Sequence, residues 1–173
     1  GGEYPFYVGH LPAALKVWRS AASAVARGLD PEGGQRWFHG GDPRKRRLGK
    51  NGQVTVGNTA RSALLLANYG RVTGEELFIE EARKALMKVS TFGVPRGAQG
   101  WECPLHSPDI LAAAYAVRAF VEMYKITGDQ FYLREARYWA WSGLPFVYSW
   151  SEEGIPCMEG NTIPVFGATF FSH

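Results

Sequence analysis

TGEELFIEEARKAL at residues 73–86 recurs as TGDQFYLREARYWA at residues 127–140, 54 positions further along the chain. Thr73-Gly74 matches Thr127-Gly128, acidic or amide residues follow, then three large apolar ones, then Glu-Ala-Arg. A repeat of this length is the signature of stacked helical hairpins, because one hairpin cannot bury its apolar face alone. Working outward, each unit is preceded by an apolar stretch and followed by a Gly- and Pro-rich one. The predicted fold class is therefore all-α, built from antiparallel helical hairpins.

Leu11 to Leu29 reads as a first helix, with Pro12 in its opening turn and Leu15, Trp18, Ala22, Val25 and Ala26 on one stripe. A second runs from about Gly57 to Val72, with Asn58 or Thr59 as caps, and is apolar almost all round between Ser62 and Ala67. The third, about Glu75 to Thr91, is amphipathic, with Leu77, Phe78, Ala82, Ala85, Leu86 and Val89 on its inner face. Ser107-Pro108-Asp109 predicts the start of a fourth, with Ser as cap, Pro in the first turn and Asp at the positive end of the dipole. That helix, nearly all apolar, turns at Thr127-Gly128 into a fifth that ends near Gly143. In the 54-residue register Ile163 matches Asp109, so a further buried helix is expected from there.

Buried and amphipathic helices alternate, joined by short Thr-Gly turns on one side and long loops on the other. The long loops 30–56, 93–106 and 144–162 are therefore expected at one end of the array, where a site belongs.

Composition narrows the classes. The chain has 173 residues, 46% hydrophobic and 20% charged, which suits one soluble domain with a real core. No apolar run is long enough to span a bilayer, and the first residues, GGEYPFYVGH, do not read as a signal peptide, so no membrane role is expected. Net charge is +3, with Arg44, Lys45, Arg46, Arg47 and Lys50 clustered in the first long loop; this is a solvated loop or a contact for an acidic glycan. RKRR is short and no basic helix or recognition motif accompanies it, so nucleic acid is not expected as a partner. Phosphate-loop and dinucleotide patterns are absent, and Cys103 and Cys157, also 54 apart, form no metal-ligand spacing; no cofactor and no metal are expected. The two thiols are read as buried or idle rather than as a disulfide.

The two TG[ED]xxx[FYL]xxEAR units, each after an apolar inner helix, resemble the six-hairpin glycosidase superfamily, the (α/α)6 toroids. GWECPLHSPDILAAAYAVRAF and WAWSGLPFVYSW are similar to members of that superfamily as well. The resemblance covers about residues 57–173 and makes residues 1–173 a single partial toroid domain. A full ring has twelve helices, so the chain is expected to be a piece of a longer enzyme, or a half that associates with a second copy. Such toroids serve glycosidases, unsaturated glucuronyl hydrolases, polysaccharide lyases, epimerases and some terpenoid enzymes, so fold alone does not choose a reaction.

The expected activity is glycoside hydrolysis on a poly- or oligosaccharide. An inverting glycosidase needs an acid and a base roughly 6.5–9.5 Å apart. Glu102, beside Trp101, is expected as the acid, its pKa raised by the apolar ring, and Asp109 as the base. Asp109 equally suits a structural cap, and Glu102 an ordinary loop acid. His106 is a third catalytic candidate or a loop hydrogen-bonder. With Tyr115, Arg96 and the basic cluster, it would suit a lyase acting on uronate-containing glycans, in which a base removes a proton beside a carboxylate that cations neutralise. Trp101, Trp37, Tyr148 and Trp150 are candidate sugar platforms, and Arg96, His39 and Asp42 candidate polar contacts; aromatics beside Pro and Gly also serve as loop anchors. Glu152, Glu153 and Glu159 in the third loop read more simply as a solvated turn. A non-catalytic carbohydrate-binding or assembly module is the reading outside enzymes.

Overall fold

A computed structural model of the chain describes residues 9–101, 103–155 and 158–163. Among these are five α-helices: α1 (Leu11–Gly28), α2 (Val56–Thr73), α3 (Glu76–Val89), α4 (Ile110–Thr127) and α5 (Gln130–Gly143). One small antiparallel sheet, β1 (Arg36–Trp37) with β2 (Gln53–Val54), pairs Arg36 with Val54 and Trp37 with Gln53. The all-α expectation holds, with this ribbon inside what reads as pure loop. The expected helix from Ile163 onward, together with Glu102 and Cys157, lies outside the described residues.

The repeat is a repeat of hydrogen bonds. Thr73 Oγ1 donates to the Tyr69 carbonyl at 2.9 Å, Gly74 turns the chain at φ 70°, and Glu75 N–H returns to Thr73 Oγ1 at 3.3 Å. In the second copy Thr127 Oγ1 donates to Met123 O at 2.9 Å, Gly128 sits at φ 69°, and Asp129 N–H reaches Thr127 Oγ1 at 3.2 Å. Only glycine takes this left-handed conformation without strain, which is why Thr-Gly closes both hairpins.

α2 packs against α1, α3 and α4, and α4 packs against α2 and α5. The two inner helices run parallel. At their starts Gly57 N–H donates to Arg96 O, and Asp109 N–H to Pro95 O. At their ends Arg71 Nε lies 2.6 Å from Glu122 Oε2. The core between them is small and aliphatic on α2 and α4 (Ala60, Ala63, Leu66, Ala112, Ala116, Ala119) and closed by Phe78, Leu86, Phe120 and Trp139. Trp18, Tyr69 and Phe78 stack edge to face across α1, α2 and α3, with ring centres 5.6 and 4.9 Å apart.

Three local expectations are corrected. The cap of α2 is Thr55, whose Oγ1 accepts from Asn58 N–H at 3.3 Å, and not Asn58 or Thr59. The cap of α4 is Asp109 rather than Ser107, because Pro108 bridges to Arg96 in extended backbone before the helix begins. On α3, Leu77 is 64% exposed and Ile79 takes its place, since 78, 79, 82, 85, 86 and 89 form one face of a helix that begins at Glu76.

Candidate functional site

The first two long loops meet at the starts of the inner helices and are pinned together. Trp37 Nε1 donates to Gly100 O at 3.1 Å, and Leu105 N–H donates to Leu48 O at 2.7 Å. Trp37, Leu48 and Leu105 fill a second small core, with Trp37 only 8% exposed. Thr55 Oγ1 donates to Gly97 O at 2.9 Å, where Gly97 sits at φ +73° and a side-chain carbon would overlap Thr55. The third loop leaves the same end, since Gly143, closing α5, lies against Ala113 near the start of α4. Its backbone is tied to itself, Val147 bridging Thr162 and Tyr148 N–H donating to Asn161 O.

Asp109 stitches helix to loop. Its Oδ1 accepts from Ala112 N–H at 2.7 Å in the first turn of α4, and its Oδ2 accepts from Ala98 N–H at 3.1 Å in the loop. It is 5% exposed, and burial pushes its carboxyl above the ordinary value despite the N–H groups that favour the charged form. Thr55 occupies the same register position 54 residues earlier, and it too caps its helix while bonding the 93–106 loop. A non-titrating hydroxyl does at α2 what the carboxylate does at α4. That equivalence favours capping and loop anchorage for Asp109.

The other candidates separate by exposure. Trp101 is 44% exposed, next to Gly100, whose carbonyl the buried Trp37 holds. His106 is exposed in the turn after Leu105. Arg96 is half-buried and its backbone serves the bridge to Pro108 and the bond from Gly57. Trp37 anchors the loop instead of presenting its face. His39 does likewise: Nδ1 accepts from Gly41 N–H at 3.0 Å, and Nε2 lies 2.9 Å from Asn51 Nδ2. Tyr115 is half-buried against the helical core. Tyr148 and the exposed Trp150 stack edge to face at 5.4 Å in the third loop, where Glu152, Glu153 and Glu159 are exposed. Asp42 pairs with Arg44, and hydrogen bonds from that residue's side chain and backbone hold its carboxyl below the usual range. Arg46 and Arg47 stand exposed beside it, on a short 3-10 turn over Arg44–Arg47.

Sequence reasoning missed a polar cluster at the opposite end. Glu75 accepts from Tyr69 Oη at 2.6 Å and from the Arg19 guanidinium at 2.9 Å, tying α1, α2 and the first hairpin turn together. Its only sequence signal is that Glu75 and Asp129 share a register position. Asp129 instead caps α5 through Phe131 N–H at 2.8 Å. Among the described residues no group of three or more His, Cys, Asp or Glu is arranged to hold a metal ion, and no helix is long and apolar enough to cross a membrane. No family model matches the chain, and neither a curated protein nor a solved structure matches it.

Proposed function

We propose that the chain is part of an (α/α)6 toroid of a carbohydrate-active enzyme, a glycoside hydrolase that holds a poly- or oligosaccharide against the face formed by loops 30–56 and 93–106. The observation that carries this reading is the setting of Trp101. An exposed indole stands on a loop held rigid at both sides, by Trp37 to Gly100 and by Leu105 to Leu48. A rigid exposed aromatic next to a carboxylic acid in sequence, Glu102, suits stacking on a sugar ring beside a proton donor. In this reading Glu102 is the acid, Asp109 positions the loop that carries it, and His106 is the exposed titratable neighbour. The partner carboxylate belongs to the rest of the ring or to the third loop, where Glu152, Glu153 and Glu159 are exposed.

A second reading, a sugar-binding module without catalysis, is favoured by one observation. Asp109 has each oxygen engaged by a backbone N–H and so is a poor choice for activating water. One experiment separates these. The protein is incubated with neutral and uronate polysaccharides, and products are read as reducing ends and as the absorbance of unsaturated uronates. New reducing ends that vanish in Glu102→Gln support the hydrolase. Unsaturated products dependent on His106 convert the assignment to a lyase. Binding without products supports the module, and neither binding nor products overturns the carbohydrate reading.

A further inference from the structure

α2 is packed on three sides, by α1, α3 and α4, and opens on one. Before its last turn, the residues of α2 that are not buried are Asn58, Arg61, Leu65 and Asn68. They are spaced three and four apart and so form a single stripe. On a helix otherwise packed with Ala60, Ala63, Leu64, Leu66 and Ala67, an exposed arginine and two half-buried asparagines mark the open side. The matching positions on α4 are polar as well. Tyr115 stands 54 positions after Arg61 and Glu122 stands 54 after Asn68, both half-buried, with Arg118 exposed between them.

Contacts at both ends set the heights of these residues. At the far end Arg71 of α2 meets Glu122 of α4 at 2.6 Å, and Lys125 Nζ reaches the same carboxylate at 2.6 Å. At the loop end Gly57 and Asp109 donate to consecutive carbonyls, those of Arg96 and Pro95. Either pairing puts Arg61 level with the first turn of α4. Arg118 then lies about 8 Å deeper at roughly 1.5 Å per residue, with Tyr115 between the two. Charge is balanced at the far end and not at the near one. Glu122 answers both Arg71 and Lys125, whereas neither Arg61 nor Arg118 has an acidic partner among the described residues.

We infer that this strip is an oxyanion-binding site, in which Arg61 and Arg118 hold carboxylate or sulfate groups of an acidic oligosaccharide and the Tyr115 phenol donates between them. The inference rests on the carbohydrate reading, to which it adds two specificity-determining residues on the inner helices. A guanidinium presents a planar fork that engages such oxygens two at a time. Two forks about 8 Å apart in height suit anionic groups on separate sugar units better than one carboxylate. The basic turn Arg44–Arg47 offers no such walled strip, since Arg44 is held by Asp42 while Arg46 and Arg47 stand in solvent.

The test titrates a galacturonate trimer, a sulfated galactose trimer and a neutral galactose trimer by calorimetry. The proteins are the native chain, Arg61→Gln, Arg118→Gln, both together, Arg46→Gln with Arg47→Gln, and Arg27→Gln, which removes an exposed cation from α1. The native chain should bind at least one acidic trimer about tenfold or more tighter than the neutral one, and whichever acidic trimer is preferred names the group. Arg61→Gln and Arg118→Gln should each lose most of that preference, with neutral affinity and helical circular dichroism unchanged, while Arg27→Gln keeps it. Arg61→Lys, which keeps the charge without the fork, should retain part of it and guards against a folding defect in Arg61→Gln. Equal affinity for acidic and neutral trimers overturns this inference and leaves the carbohydrate reading standing. So does a preference that survives the double arginine variant, or one lost instead in Arg46→Gln with Arg47→Gln. Binding of none of the trimers overturns both.

Discussion

Replacing Asp109 by Ala should destabilise the protein by about 3 kcal/mol. Two contributions make up this figure. Losing the cap bond from Ala112 N–H costs about 1 kcal/mol, as for other side-chain caps. Leaving Ala98 N–H, on a residue 1% exposed, without its acceptor costs a further ~1–3 kcal/mol. Relief of the buried carboxylate's desolvation offsets the upper end of that range, leaving about 3 kcal/mol, or roughly 6–12 °C in Tm for a domain of this size. Asp109→Thr, copying Thr55, should recover the cap while still losing the Ala98 bond, and fall between the two. Thermal and urea unfolding, followed by circular dichroism, measure all three proteins. The pH dependence adds an independent check. Because burial raises the folded-state pKa of Asp109, its protonated form is favoured by folding. Its contribution is fully present below the ordinary carboxylate pKa and is lost as pH rises through the raised value. That acid-side slope should be missing in Asp109→Ala. A loss of stability below about 0.5 kcal/mol, the scale of an ordinary surface substitution, would refute the stitching role.

Three further outcomes follow from the same contacts. Trp37→Ala should cost about 3 kcal/mol by emptying the core it shares with Leu48 and Leu105, and Trp37→Phe about 1 kcal/mol for the bond to Gly100; limited proteolysis should show faster cleavage near residues 99–106 in both. Glu75 should titrate below ordinary glutamates by NMR, chiefly through Arg19 and then Tyr69, and Tyr69→Phe or Arg19→Gln should move it upward; any stability tied to it exists above the unfolded-state pKa and is lost as pH falls through the depressed one. Gly57→Ala should cost ~2 kcal/mol or more, since a side-chain carbon there would press on Ala98 backbone and wedge the loop from the start of α2; chemical denaturation reads the loss.

The hairpins were legible because their information is local. Thr-Gly, Glu-Ala-Arg and the spacing of Phe78, Ala82 and Leu86 carry turn, surface and core in a few consecutive residues, and repetition confirms each. Helix starts were less so. Thr55 precedes a β-branched Val56 and so reads as extended chain, and Ser107-Pro108 mimics a cap that the bridge to Arg96 pre-empts. The loop face was harder still. Trp37, Leu48 and Leu105 lie far apart in sequence with no period linking them, so nothing local tells a loop anchor from a sugar platform. Exposure divides them, leaving Trp101 presented and Trp37 buried. The register relation between Thr55 and Asp109 was present in the sequence all along, and it becomes informative once Thr55 is known to be a cap.

The carbohydrate account rests most directly on Trp101. Titration of soluble oligosaccharides, followed by NMR or calorimetry, should be compared in the native chain, Trp101→Ala and Trp141→Ala, the last altering an even more exposed indole on α5. The account predicts affinity at least about tenfold weaker in Trp101→Ala and unchanged in Trp141→Ala. Binding that survives Trp101→Ala and fails in Trp141→Ala would contradict it.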